Sequence, residues 1–225
     1  MRMNETGNSD TTMSRRTFLL GSAAGLGALA LSGCSGSTIR ALTTAEAEQV
    51  YGPLPNERFP VEAVNLSKVD PKYWRRTVRY ESAEAPGTII VDPRNHYVYR
   101  IEGQNVATRY GVSVGRAGFL WSGDAYIGRK AEWPVWTPPR EMIARQPEVA
   151  KYAGGMAPGL DNPLGARTLY LYQDGVYTLY TLYSTRQAET IGNGISSGCI
   201  GLLTQDMMDL YERTPVNTKV IVLKA

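Results

Sequence analysis

Alternating hydrophobic and polar positions run from about residue 87 almost to the C-terminus. Such segments predict short β-strands. The strands are predicted at 88–92, 96–101, 105–115, 124–133, 167–173, 176–184 and 219–224. Turn residues separate them, and Asp174-Gly175 is a strong hairpin signal. The pattern therefore predicts a mainly β fold that begins with a β-meander.

Helical signals are few. Thr204 is placed to cap a helix over residues 205–213, in which Asp206 favours the first turn. Pro138 and Pro139 can open a second short helix over residues 140–146. The sequence thus predicts a β domain with a few short helices.

The region before these strands is organised differently. From residue 34 to residue 86 the pattern is mixed, and prolines within the segment interrupt any periodicity, at Pro53, Pro55, Pro60 and Pro71. We expect a tether and an N-terminal wrapping arm at 34–86, followed by one catalytic domain at 87–225. About 190 residues after the N-terminal segment are enough for one domain with a proper core.

Residues 1–33 have the features of an export signal. Ser14-Arg15-Arg16 stands directly before an apolar run rich in alanine and glycine, which matches a twin-arginine signal. The run is too short and too rich in glycine for a transmembrane helix. It ends in Leu31-Ser32-Gly33-Cys34, which looks like a bacterial lipobox. We expect a lipidated Cys34 that anchors a periplasmic protein to a membrane; the alternative is plain signal cleavage.

Charge argues against one class of partner. Without residues 1–33 the chain keeps 21 basic and 19 acidic side chains, a net charge near +2. No basic run or aromatic ladder stands out, so nucleic acid is not an expected partner. A single histidine and the absence of clustered cysteines or carboxylates predict no metal and no cofactor.

Cys199 is the strongest chemical signal. It lies in Ser196-Ser197-Gly198-Cys199, ahead of a pattern interpreted as helical. A helix N-terminus would lower the pKa of the thiol, and Gly198 with neighbouring amides could donate to an oxyanion. Lipidation of Cys34 would remove the disulfide option, which favours a reactive role. The alternative is that Cys199 is a small buried hydrophobe.

A stiff aromatic loop lies between the predicted strands. Trp133 and Trp136 stand among prolines in the segment 133–139. Such a loop suits a lid or a substrate wall, and simple edge packing is the alternative.

Several motifs together resemble the YkuD-type L,D-transpeptidases. They occur in order along residues 87–223: Val91-Asp92, Tyr110-Gly111-Val112-Ser113-Val114-Gly115-Arg116, Asn162-Pro163-Leu164-Gly165-Ala166-Arg167, Thr190-Ile191-Gly192 and Ser196-Ser197-Gly198-Cys199-Ile200. The resemblance implies a YkuD-like β-sandwich or barrel, an exported enzyme and peptidoglycan stem peptides as partners. It also implies that Cys199 takes an acyl group from a tetrapeptide stem, as a thioester, and passes it to an amine.

The chain departs from the family pattern at two important positions. The family base, a histidine sixteen residues before the cysteine, corresponds to Tyr183. A phenol with an ordinary pKa near 10 is a poor general base at neutral pH. The family arginine two residues after the cysteine corresponds to Gly201.

Two hypotheses follow. The first is an L,D-transpeptidase that makes 3-3 cross-links or wall-protein linkages, with Cys199 as nucleophile and Tyr183 or a water in place of the base. The second is a catalytically impaired, lipid-anchored scaffold that binds peptidoglycan. In both, the remaining predicted substrate-binding residues are Ser184, Thr185, Arg186, Ser196, Ser197, Trp133 and Trp136. For Arg186 a solvated loop charge is the alternative.

Overall fold

The computed structural model describes residues 41–115, 121–196 and 199–225, with residues 195 and 196 described by their backbone. Ten strands are present in this part of the chain: β1 (Arg76–Arg79), β2 (Ile89–Asp92), β3 (Tyr97–Gly103), β4 (Val106–Gly115), β5 (Gly123–Glu132), β6 (Arg167–Gln173), β7 (Val176–Thr185), β8 (Gly194–Ser196), β9 (Ile200–Leu203) and β10 (Lys219–Val222). The α-helices are α1 (Thr44–Val50), α2 (Arg140–Arg145) and α3 (Thr204–Glu212). Short 3-10 turns occur at Leu66–Lys68, Pro71–Tyr73, Pro147–Tyr152 and Ala188–Thr190.

Eight of the strands close into a barrel. The neighbours run in the order β4-β3-β2-β10-β5-β6-β7-β9, and β9 pairs back with β4. Strands β1 and β8 pair with β4 outside this ring. Two of the pairings in the ring are parallel, β2 with β10 and β7 with β9. The mainly β fold with a few short helices is therefore confirmed.

The predicted hairpin at Asp174-Gly175 is also confirmed. Gln173 pairs with Val176, so the loop has two residues, with φ angles of 49° and 79°. Two positive φ angles in succession match a type I′ turn, which suits the twist of the strands.

The barrel interior is filled by the apolar positions of the strands and one face of α3. Ile127, Leu169, Leu182 and Leu202 are fully buried, and Met207 of α3 joins the same cluster. The predicted helix is present, but it starts one residue earlier than expected. Leu203, not Thr204, is the residue before its first turn, and the Thr204 hydroxyl donates to the Thr185 carbonyl instead of capping the helix.

The N-terminal arm contains a helix that the mixed pattern did not predict. Thr43 and Glu46 form a reciprocal capping box at the start of α1. Ala47 and Tyr51 pack in a cluster with Leu203, at the end of β9. Sequence signals for this helix existed in the Thr43-x-x-Glu46 spacing, although the prolines that follow obscured it.

Some predictions fall on parts of the chain that the structure does not describe. The signal segment 1–33 and the lipidated Cys34 lie outside the described residues. In the described part, no helix is long and apolar enough to cross a membrane.

A buried carboxyl joins the arm to α3 and makes stability depend on pH. Burial raises the pKa of Asp206 to about 7, against the opposing effects of Arg75 and of a hydrogen bond from the Tyr51 hydroxyl. Asp209 nearby adds to the rise. At a pH between these two values, the folded protein therefore holds a proton on Asp206 that the unfolded chain, with an ordinary pKa of 3.8, has released.

We expect the free energy of unfolding of the wild type to fall with rising pH, relative to Asp206→Asn, between about pH 5 and pH 7. The slope of this difference should approach about 1.4 kcal/mol per pH unit, the value for one proton. The asparagine stays neutral, so contributions from His96 and other groups cancel in the comparison. Urea denaturation at several pH values measures both proteins, and parallel curves would contradict the assignment.

Candidate active site

Cys199 lies between two strands and not at a helix N-terminus. It directly precedes β9, whose four residues are all buried, and α3 begins five residues later. The helix is thus too far along the chain to lower the thiol pKa, because its field acts within the first turn. The residue is partly exposed, yet burial around the sulfur raises the pKa of the Cys199 thiol. The hydroxyl and backbone amide of Thr181 act in the opposite direction.

The Cys199 groove is a cavity of about 890 Å³. One wall is the segment Val135–Pro139 with α2, and the other is β7. Its described charged lining residues are Arg129, Arg140, Arg145 and Glu141. Its aromatic lining residues are Trp121, Trp136, Tyr170, Tyr177 and Tyr180. A net positive, aromatic groove with a thiol in its wall suits an extended substrate that carries carboxylates.

A row of paired residues crosses the sheet and ends at the thiol. Arg129 of β5 pairs with Tyr170 of β6, and Tyr170 pairs with Thr181 of β7. Leu182 pairs with Ile200, so one step back along both strands brings Thr181 beside Cys199. The Arg129 guanidinium lies 3.6 Å from the centre of the Tyr170 ring. Three strand spacings put Arg129 about 14 Å from Cys199 along this row.

A bulge in β7 brings a backbone carbonyl to the thiol. The β6–β7 register shifts between Tyr170 and Tyr172, and Leu179 in the bulged segment has a φ of +67°. A leucine rarely adopts this strained conformation, and such strained residues cluster at functional sites. The Cys199 thiol donates to the Leu179 carbonyl at 3.8 Å. Sequence patterning could not locate this bulge, since it depends on the register of two strands.

Tyr183 and Gly201, the two departures from the family pattern, face each other. They are paired across β7 and β9, and Gly201 also pairs with Ser113 of β4. Burial, and to a lesser extent Cys199, raises the pKa of Tyr183 to about 12, while a hydrogen bond with Ser113 opposes the rise. A phenol with this pKa keeps its proton at neutral pH, which disfavours it as a general base there. The role of Tyr183 as the base therefore stays a prediction, and the raised pKa does not favour it.

Gly201 leaves the space that the tyrosine and serine side chains occupy. A Cβ at this position would lie 2.5 Å from the Ser113 hydroxyl and 3.0 Å from the Tyr183 hydroxyl. The two departures from the family pattern are thus linked, because a side chain at position 201 would collide with Ser113 and with the tyrosine at position 183.

We expect Gly201→Ala to lower the free energy of unfolding by about 1–3 kcal/mol through this overlap. Combining it with Ser113→Ala removes the closest atom, so the double variant should recover part of the loss. Thermal or urea unfolding of the two single variants and the double variant gives the coupling between the sites. Additive losses would contradict the proposed collision.

Four of the predicted substrate-binding residues line a different cavity, of about 330 Å³: Trp133, Ser184, Thr185 and Arg186. Tyr183 lines this cavity too and is absent from the lining of the Cys199 groove. The Ser184 hydroxyl bonds the backbone of Arg167, and the Thr185 hydroxyl accepts from the amide of Gln187. Arg186 is exposed and forms an ion pair with Asp161 at 3.4 Å. These contacts describe strand-end and loop structure, and none of the four lines the Cys199 groove.

The two tryptophans of the aromatic loop separate. Trp133 packs edge-on against Phe59 and donates its indole N–H to Glu57, at 2.9 Å. Trp136 lines the Cys199 groove and contacts Tyr152. Of the two tryptophans, only Trp136 lines the Cys199 groove, so the role of a substrate wall stays a prediction for Trp136.

The glycine turn itself is only partly visible. Ser197 and Gly198 lie outside the described residues, so the predicted oxyanion donor is not placed. The backbone of Ser196 belongs to β8, where it pairs with Gly115.

Sequence reasoning missed four residues that line the Cys199 groove: Arg129, Tyr170, Leu179 and Thr181. All four lie on predicted strands, but only the strand register brings them together. Finding them would have required knowing that β7 and β9 pair in parallel, and the pattern of residues along a single strand does not reveal its partner strand.

Comparison with known proteins agrees with the resemblance. The family model of the YkuD L,D-transpeptidase catalytic domain matches residues 86–222. The probable L,D-transpeptidase YbiS of Escherichia coli (strain K12) is 29% identical over 139 residues, which cover 60% of this chain and 43% of that protein. The chain thus spans less than half of the length of this relative.

Two of the solved structures that match the chain have different titles. A Brucella melitensis structure titled "Probable carnitine operon oxidoreductase caia" is 40% identical, with a TM-score of 0.48, and the match covers 71% of this chain and 99% of that one. An L,D-transpeptidase from Mycobacterium smegmatis is 19% identical, with a TM-score of 0.43, and the match covers 61% of this chain and 58% of that one. The family-model match extends over more than half of the sequence and includes the barrel and Cys199. The chain therefore belongs to the YkuD family of L,D-transpeptidase catalytic domains.

Proposed function

We propose that the protein is a peptidoglycan L,D-transpeptidase with Cys199 as its nucleophile. The observation that carries the proposal is the position of the thiol, partly exposed in the wall of a cationic, aromatic groove within a YkuD domain. The substrate would be a stem tetrapeptide, whose free carboxylates suit the arginines of the groove.

The reaction would proceed in two acyl-transfer steps. The Cys199 thiolate attacks the carbonyl between the L-centre of diaminopimelate and the terminal D-alanine. The tetrahedral intermediate collapses with a proton passing to the departing amine, so that D-alanine leaves and a thioester remains. A second stem or a protein amine then attacks the thioester, loses a proton and releases the thiol. Since Tyr183 keeps its own proton at neutral pH, water in the groove would accept the thiol proton.

Arg129 is the groove cation best placed to hold the distant end of the stem. It stacks on Tyr170, and its backbone lies three strands from Cys199 in the same row, about 14 Å away. An extended tetrapeptide spans about 13–14 Å, so a stem whose scissile bond lies at the thiol is long enough to bring a more distant carboxylate to the guanidinium.

We expect Arg129→Gln to raise the KM for a disaccharide-tetrapeptide about tenfold with kcat within threefold, because it removes a charged hydrogen bond made in both ground and transition states. D-alanine release gives both constants. Arg94→Gln removes the same charge from the exposed β2–β3 turn and serves as the control. Equal effects of the two substitutions would contradict a local role for Arg129.

The second candidate function is a scaffold that binds stems without turnover. Two observations favour it. The pKa of the Cys199 thiol is raised, and the position of the family histidine holds Tyr183, which is protonated at neutral pH. Incubation with a disaccharide-tetrapeptide decides between the two: D-alanine release supports the enzyme, and binding without release supports the scaffold.

We also propose that the chain is exported by the twin-arginine route and anchored in the periplasm through Cys34. The paired arginines and the lipobox-like residues 31–34 support this proposal. Mass spectrometry of the mature N-terminus tests it directly. A diacylated Cys34 supports the anchor, and an unmodified N-terminus at any residue contradicts it.

A further inference from the structure

Thr181 has a buried hydroxyl with no structural task in the described part of the chain. The residue is 1% exposed, and its Oγ1 forms no hydrogen bond of ordinary length with any described residue. Buried polar groups are nearly always satisfied, so an orphaned hydroxyl at a groove wall needs a reason. The same residue lines the Cys199 groove.

The strand register aims this hydroxyl at the sulfur. Leu182 and Ile200 are partners in the parallel β7–β9 pair, and the preceding residue on each strand is Thr181 and Cys199. Adjacent strands lie about 4.8 Å apart, and residues at corresponding positions share a face of the sheet. The Thr181 hydroxyl and backbone amide lower the pKa of the Cys199 thiol, against the larger effect of burial.

The thiol has a different partner while it holds its proton. In the structure the S–H donates to the carbonyl of Leu179, which the bulge in β7 directs toward it. A carbonyl can only accept, so it loses its partner when the proton leaves. A hydroxyl and an amide can donate, so they gain one.

We propose that Thr181 stabilises the thiolate of Cys199 by donating its hydroxyl hydrogen to the sulfur, while the Leu179 carbonyl holds the thiol in the resting state. Two groups on one strand thus serve the two protonation states of the nucleophile. The arrangement offsets part of the desolvation of the sulfur in a site without a histidine base. It rests on the proposed role of Cys199 as nucleophile.

The test measures thiolate formation and needs no turnover. The rate of carbamidomethylation of Cys199 by iodoacetamide is followed from about pH 6 to about pH 11.5 in the full chain, with peptide mapping to separate Cys199 from Cys34. The proteins are the wild type, Thr181→Val, Thr181→Ser and Thr88→Val. Valine keeps the shape and removes the hydroxyl, serine keeps the hydroxyl, and Thr88 is a buried threonine next to β2.

We expect Thr181→Val to raise the midpoint of the rate profile by about one pH unit or more, the effect of losing one hydrogen bond to a charged group. At a fixed pH below both midpoints, alkylation should slow about tenfold. Thr181→Ser should keep the wild-type midpoint within a few tenths of a unit, and Thr88→Val should not move it.

An unchanged midpoint in Thr181→Val would overturn the proposal, as would equal shifts in Thr181→Val and Thr88→Val. Circular dichroism confirms that each variant is folded, and the serine variant keeps the test decisive if valine disturbs the strand: a large shift in Thr181→Ser would also overturn it. The outcome is independent of transpeptidation. A chain that shows the shift and releases no D-alanine retains this inference and loses the proposed function.

Discussion

Cys199→Ala should abolish D-alanine release from a disaccharide-tetrapeptide, with a loss of at least about 10⁴-fold. The alanine has no nucleophilic atom, so the thioester cannot form and only a trace of uncatalysed hydrolysis remains. Chromatography of free D-alanine measures the effect. The substitution removes a single sulfur atom from a partly exposed position, so the fold should be maintained.

Binding provides the internal control for this variant. The groove keeps its arginines and aromatic residues, so the dissociation constant for the tetrapeptide should stay within about threefold of the wild-type value. If Cys199→Ala retained more than a tenth of the wild-type rate, the reaction would not pass through this thiol.

Tyr183→His should raise the rate of D-alanine release at neutral pH by about 10²-fold or more. The family histidine is restored on β7, and an imidazole with an ordinary pKa near 6.5 can accept the thiol proton where a phenol of pKa about 12 cannot. Gly201 opposite leaves room for the new ring. The pH–rate profile should gain a limb near pH 6–7.

Tyr183→Phe is the matched control. It removes the hydroxyl and keeps the ring, so the rate should change by only a few fold if the phenol is not the base. A loss as large as that of Cys199→Ala would contradict this view of Tyr183, and an unchanged rate in Tyr183→His would show that position 183 does not reach the reacting atoms.

The sequence was informative about strands because their signal is local. Alternation of apolar and polar residues located seven strands, and Asp174-Gly175 located a two-residue turn by the φ angles that it tolerates. Strand β9 was missed for a physical reason. Ile200–Leu203 is a short continuous apolar run, all buried, which a pattern cannot distinguish from the beginning of a helix.

The surroundings of Cys199 depend on contacts that are distant in sequence. Thr181 is next to the thiol because of a parallel pairing, and Leu179 reaches the thiol because of a bulge. Arg129 is connected to the thiol by two antiparallel pairings and the same parallel one. The motif around Cys199 could identify the nucleophile but not its neighbours. The same limitation placed Ser184, Thr185 and Arg186 at the substrate, although they line, together with Tyr183, a cavity other than the Cys199 groove.

Intact mass after incubation with a disaccharide-tetrapeptide tests the central claim most directly. We expect the wild-type chain to gain the mass of the stem minus D-alanine, with peptide mapping to Cys199, and Cys199→Ala to gain nothing. A folded wild-type chain that binds the muropeptide and shows neither the adduct nor released D-alanine would contradict the account and leave the scaffold as the function of this site.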